Sequence, residues 1–260
     1  MFSAGDAYER FMGRWSRKLA VPFVRFAQVQ SGDSVLDVGS GTGAVTAAVA
    51  EVSPSSRSVG IDPAEGFVAF AHAHHAGERV RFEVGDAQQL QFADRSFTRA
   101  LSLLNLNFIP DPRKALREMS RVTQPGGIVA AAVWDYARGM EMLRVFWDEA
   151  VALDRAAEEK DERHMRFAAE GELAALFHEQ PLRDIASDAL TVETRFSSFD
   201  DFWLPFLEKQ GPAGAHVASL TSTDAGTLRA RLRQRLLGDG PDAPIVLQAR
   251  AWAVRGTVPP

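Results

Sequence analysis

The chain contains no cysteine in 260 residues, so disulfides, a thiolate nucleophile and any cysteine-held metal are excluded. Tyrosine is nearly absent, which leaves Tyr8 and Tyr136 as the only phenols available to a site. There is no basic run: net charge is −5 and the arginines are scattered, so no nucleic-acid partner is expected. Long apolar stretches are missing as well. The longest, Ile128 to Trp134, is far too short to cross a bilayer, and no basic segment followed by an apolar run and a cleavage site marks a secretory signal. A cytoplasmic protein without membrane association is expected, and nothing in the sequence sets its oligomeric state. Apolar residues at 46% suffice for a core, and the length suits one α/β domain with an elaboration or two closely packed parts.

What is present begins at Val35-Leu36-Asp37-Val38-Gly39-Ser40-Gly41-Thr42-Gly43, an apolar strand that breaks into alternating glycines. Ala44 to Ala50 then opens a helix, so the unit reads strand, nucleotide loop, helix. Gly39, Gly41 and Ala44 also satisfy the dinucleotide pattern, which keeps a nicotinamide-dependent oxidoreductase in view. Three features separate the readings. Asp37 places a carboxylate where a pyrophosphate loop is normally apolar, which suits a ligand bearing an ammonium group. A second strand, Ser58 to Ile61, ends in Asp62, about 20 positions past the glycines, where an acidic residue bonds ribose hydroxyls. A third, Val80 to Val84, ends in Gly85-Asp86-Ala87.

Three acidic strand ends with one glycine loop resemble the class I S-adenosylmethionine-dependent methyltransferases. The likeness continues through Phe92 to Phe97, Asn107 to Pro112 and Ala115 to Gly127, the last similar to the Leu-x-Glu-x-x-Arg-Val-x-x-Pro-Gly-Gly stretch of the type 11, ubiquinone/menaquinone-methyltransferase-like branch. It covers residues 33–134. The resemblance implies S-adenosylmethionine as cofactor, with Gly39 and Gly41 along its methionine part and Asp37 ordering the ammonium group. It implies Asp62 on the ribose hydroxyls, Pro63 beside the adenine, Asp86 on the adenine amino group, the Ala87 amide on a ring nitrogen, and a backbone contact from Leu103. A methyl group would pass to an oxygen, nitrogen or carbon atom of a small organic metabolite. No catalytic residue is named, because a sulfonium is already activated and a general base is needed only for a weakly acidic acceptor. A protein that binds S-adenosylmethionine without transferring methyl groups has the same signature.

The expected fold is α/β: a Rossmann-like, seven-stranded, mostly parallel sheet with the last strand antiparallel, plus helical cap insertions. Strands are expected near 34–38, 57–61, 79–84, 97–103 and 127–134, with helices near 43–52, 64–76 and 112–123. Regular alternation gives right-handed crossovers and a ligand at the strands' carboxyl ends. Asp111 and Pro112 start the last helix, and Pro125-Gly126-Gly127 is expected to end it. Residues 1–30 read as an N-terminal lid, 31–135 as the cofactor-binding core, and 136–260 as a helical cap with a final two-strand hairpin. Residues 139–179 look helical, and the hairpin strands Leu182 to Arg195 and Ile245 to Arg255 are interrupted by an insertion, 196–244.

Tyr8, Trp15, Trp134, His164 and Trp203 are the candidates for an acceptor pocket, with His164 the candidate base; helix-to-sheet packing for Tyr8 and Trp15, a surface position for His164 and cap core for Trp203 are the plain alternatives. Asp135 or Tyr136 could orient a nucleophile or pack at the cleft edge. His72, His74 and His75 lack acidic or cysteine partners, so no metal is expected. Asp62 is expected at an exposed strand end, where its loss leaves folding almost untouched.

Overall fold

The structure is a computed structural model that describes residues 4–260. The chain opens with α1 (Ala4–Tyr8), a π-helical turn over Glu9–Gly13, and α2 (Arg14–Phe26). Alternation follows: β1 (Ser34–Val38), α3 (Ala44–Val52), β2 (Arg57–Asp62), α4 (Glu65–His75), β3 (Val80–Val84), β4 (Phe97–Leu103), α5 (Pro112–Val122) and β5 (Thr123–Trp134). The remainder comprises α6 (Glu141–Leu153), α7 (Glu172–His178), β6 (Arg183–Phe196), α8 (Phe199–Trp203), α9 (Gly211–Ser219), α10 (Ser222–Leu237) and β7 (Ile245–Thr257).

The seven strands form one sheet in the order β3-β2-β1-β4-β5-β7-β6. The first five in that order are mutually parallel, with Val35 opposite Ser58 and Leu101 opposite Ala130. β7 runs antiparallel to β5: Gly126 N–H donates to the Val258 carbonyl, and Val258 N–H returns to Gly127. Two residues of β5 thus oppose Val258, just past the end of β7, a bulge whose first residue, Gly126, sits at φ +77°. This corrects the expected helix stop. α5 ends at Val122 and the chain enters β5 at once, so Pro125-Gly126-Gly127 bends a strand rather than closing a helix.

Two compact units are present, one holding the residues up to Val133 with Glu170–Leu190 and Ala251–Pro260, the other Trp134–Ala169 with Thr191–Arg250. In the first, β1 and β4 are almost entirely buried, as expected of parallel strands covered on both faces. α5 starts as its sequence requires, Asp111 accepting from the Lys114 amide at 2.9 Å with Pro112 in the first turn.

The second unit has an aromatic core. Phe146 stacks on Phe206 at 4.6 Å and meets the Trp147 ring edge-on at 5.1 Å, while Phe202 packs on Phe196 at 5.2 Å. Its helical part is more broken than the periodicity of 139–179 implied. After α6, Asp154 and Asp161 each accept a backbone amide two residues on and restart the chain as short 3₁₀ turns. No helix among the described residues is long and apolar enough to cross a membrane.

Candidate cofactor site

A cavity of about 270 Å³ lies at the carboxyl ends of β1, β2 and β4 in the first unit. Seven residues singled out in the sequence line it: Tyr8, Asp37, Gly39, Gly41, Asp62, Pro63 and Leu103. Six others do not. Asp86 is exposed and turns back on its own chain, accepting from the Gln88 amide at 2.8 Å, and Ala87 is buried away from the cavity. Trp15 is 2% exposed within α2, with the Arg14 guanidinium 4.3 Å from its ring centre, and its neighbour Ser16 reaches the cavity instead. Trp134 and Trp203 are buried within the second unit, and His164 is exposed at the end of a 3₁₀ turn there.

Asp37 is the chemically decisive group. It is 1% exposed, and neither carboxylate oxygen makes a hydrogen bond. Burial pushes its pKa up to about 8; the Thr46 backbone amide pulls the other way, and the Asp62 charge adds to the rise. A carboxylate held without a partner inside a cavity is matched by a cation with N–H donors.

Asp62 is 8% exposed rather than at an exposed strand end, which corrects the expectation that folding ignores it. One oxygen accepts from the Gly41 amide at 3.0 Å and the other from Ala64 at 2.9 Å, so the side chain ties β2 to the glycine loop. Burial raises its pKa, and these two amides oppose the rise.

The loop amides point inward. Gly39 and Ser40 donate to the Ile61 carbonyl at 2.8 Å, Gly41 to Asp62, and Gly43 to the Ser40 carbonyl at 2.8 Å. A phosphate cradle requires free amides, and these four are already bonded. Gly39 also has a steric reason to be glycine: at φ +75°, a Cβ there would lie 2.1 Å from the Asn105 carboxamide.

The N-terminal segment is fastened over this loop. Thr42 Oγ1 donates to Glu9 at 2.5 Å, Glu9 pairs with Arg17, and Tyr8 shares a hydrogen bond with Ser16 at 3.1 Å. The Tyr8 ring meets Phe67 edge-on at 5.6 Å. Burial raises the Tyr8 pKa, the Ser16 bond opposes this, and the Asp62 charge reinforces it. Sequence reasoning missed Glu9, Thr42, Phe67, Asn105 and Phe108. Of these, Thr42 carried a signal in its place between two loop glycines, and Phe108 lay within the Asn107 to Pro112 stretch.

Residues 36–131 match the methyltransferase domain family. The ubiquinone/menaquinone biosynthesis C-methyltransferase UbiE of Bdellovibrio bacteriovorus is 35% identical over 122 residues, 44% of this chain and 48% of that protein. A demethylmenaquinone methyltransferase of Staphylococcus aureus is 39% identical over 103 residues, 39% of this chain and 43% of its own length. Over these residues the core is similar to the class I methyltransferase domains of the UbiE-like branch. The matched part spans about half the length of these curated relatives. In structure, phosphoethanolamine N-methyltransferase 2 of Haemonchus contortus superposes with a TM-score of 0.60 at 18% identity, covering 98% of this chain and 57% of that one. That likeness concerns the fold.

Proposed function

We propose that the chain is an S-adenosylmethionine-dependent methyltransferase acting on an oxygen, nitrogen or carbon atom of a small organic metabolite in the cytoplasm. The observation that carries this reading is the unpartnered, buried Asp37 carboxylate in the cavity. It fits the ammonium of the cofactor's amino-acid end and has no counterpart in a dinucleotide's needs.

In this reading Asp37 holds the ammonium and Gly39 and Gly41 line the methionine part. Asp62 offers its remaining lone pairs to the ribose hydroxyls while keeping the loop closed on β2, and Pro63 flanks the purine. The adenine roles of Asp86 and Ala87, and the acceptor roles of Trp134, His164 and Trp203, rest on sequence alone. S-adenosylmethionine supplies a methyl group already activated by its sulfonium. The chain's contribution is then orientation and dryness: Val45, Phe67, Leu103 and Phe108 give the cavity apolar walls that disfavour a lasting positive charge. Glu9 and Tyr8 act as the inner face of a lid drawn from the N-terminal segment, of which residues 4–30 are described.

Calorimetry tests this directly. S-adenosylmethionine and S-adenosylhomocysteine are expected to bind in the micromolar range and NADH not at all; tight NADH binding without a response to S-adenosylhomocysteine overturns the reading. Release of S-adenosylhomocysteine from S-adenosylmethionine in the presence of a small-molecule library separates a transferase from a protein that only binds the cofactor.

A further inference from the structure

We propose that Asn105 recognises the α-carboxylate of the bound cofactor, so that the site selects for an intact amino-acid end; this rests on the methyltransferase reading above. β4 ends at Leu103, and Leu104 takes up the left-handed conformation at φ +59°, rare for leucine, while its N–H still bonds the Ala132 carbonyl at 2.7 Å. In an extended strand neighbouring side chains face opposite sides. Because the chain turns at Leu104, three consecutive residues, Leu103, Leu104 and Asn105, all line the cavity. The Asn105 carboxamide crosses directly over Gly39, the position whose missing side chain makes room for it.

The need for such a group follows from charge. An amino-acid end that gives its ammonium to Asp37 brings a carboxylate with it, and the cavity lining contains no lysine, arginine or histidine. A neutral donor must serve. The Thr42 hydroxyl donates to Glu9, the Ser16 hydroxyl donates to the Met12 carbonyl, and Tyr8 is bonded to Ser16. Ser40 also lines the cavity and its hydroxyl is buried without a partner, but it offers a single donor, and its Cβ packs against Gly60 of β2. The Asn105 carboxamide has no hydrogen bond to any of the described residues and offers two N–H donors.

The test compares S-adenosylmethionine with decarboxylated S-adenosylmethionine, which keeps the sulfonium and the ammonium and lacks only the carboxylate. By calorimetry, Asn105→Ala is expected to weaken S-adenosylmethionine about tenfold and leave the decarboxylated compound within twofold. Asn105→Asp should weaken S-adenosylmethionine further and tighten the decarboxylated cation, a reversal that no general loosening of the fold produces. Asp37→Asn should weaken both. Equal effects of the Asn105 variants on the two ligands, or none on either, overturn the carboxylate assignment while leaving the methyltransferase reading intact. Wild-type protein that binds neither compound overturns both.

Discussion

Each unit buries carboxylates, and their surroundings differ. In the second unit they are partnered: Asp161 takes Arg144 at 2.6 Å and Arg163 at 2.6 Å, Asp135 takes Arg250 at 2.6 Å, and Glu162 accepts from the Trp147 indole at 2.7 Å. In the first unit, Asp37 is as deeply buried and has no partner, and Asp62 is held only by backbone amides. Although burial alone raises it, the Asp161 pKa is lowered overall by its two arginines, while that of Asp37 rises to about 8. Equal burial with opposite shifts separates Asp161, whose charge is paired by arginines within the fold, from Asp37, whose charge is left for a ligand; Glu162, bonded to a neutral indole, shifts upward as well.

The largest effect expected from breaking this contrast is in the second unit. Arg144→Ala removes one of the two cations on the fully buried Asp161 side chain, and should destabilise by about 3 kcal/mol, the remaining Arg163 limiting the loss. Urea unfolding measures it, and S-adenosylhomocysteine affinity of the folded protein should be unchanged. A loss below 1 kcal/mol would mean that the pair is dispensable.

Asp37→Asn should act in the reverse sense. A carboxyl whose pKa is raised on folding stabilises the native state below its unfolded pKa and withdraws that stability as pH rises. Wild-type protein without ligand should therefore lose stability between about pH 4 and 8, at up to ~1.4 kcal/mol per pH unit, and the variant should lose much less. At pH 8 the variant is expected to be the more stable protein and to bind S-adenosylmethionine roughly 100-fold more weakly. A variant that is less stable than wild type at pH 8 contradicts the unpartnered state of Asp37. Glu162, raised to about 7 by burial, adds a loss of the same sign ending near pH 7, which Glu162→Gln should remove.

Asp62→Ala sharpens the comparison at a smaller scale. It should weaken S-adenosylhomocysteine by about 1.5–2 kcal/mol and, because it frees the Gly41 and Ala64 amides, lower stability by about 1 kcal/mol. Unchanged stability would restore the simpler view of a strand-end residue. The smallest effect is expected at Lys209, exposed at φ +60° in the second unit: Lys209→Gly should leave stability unchanged or raise it by up to ~1 kcal/mol. A clear loss there would show that the lysine side chain serves the unit.

Much of the first unit was legible because its signals are local. The glycines after β1, the acidic ends of β2 and β3, and the Asp111-Pro112 start of α5 are each set within a few residues by backbone sterics and hydrogen bonding. The sequence by itself therefore determined the strand-loop-helix order, the sheet's parallel part and the end of the sheet that carries the cavity.

Tertiary structure decided what depends on groups far apart in the chain. It buried Asp62 and left Asp37 without a partner, and it put Glu9 on Thr42. It turned Pro125-Gly126-Gly127 into a bulge opposite Val258 and set Asn105 across Gly39 through a left-handed Leu104. Trp15 and Asp86 had the right residue type and position yet line no part of the cavity, whereas Asn105 carried no sequence signal and lines it. Residue type and spacing fix local geometry, but burial and hydrogen-bond partnership are properties of the packed chain, and these give a carboxylate or an amide its function.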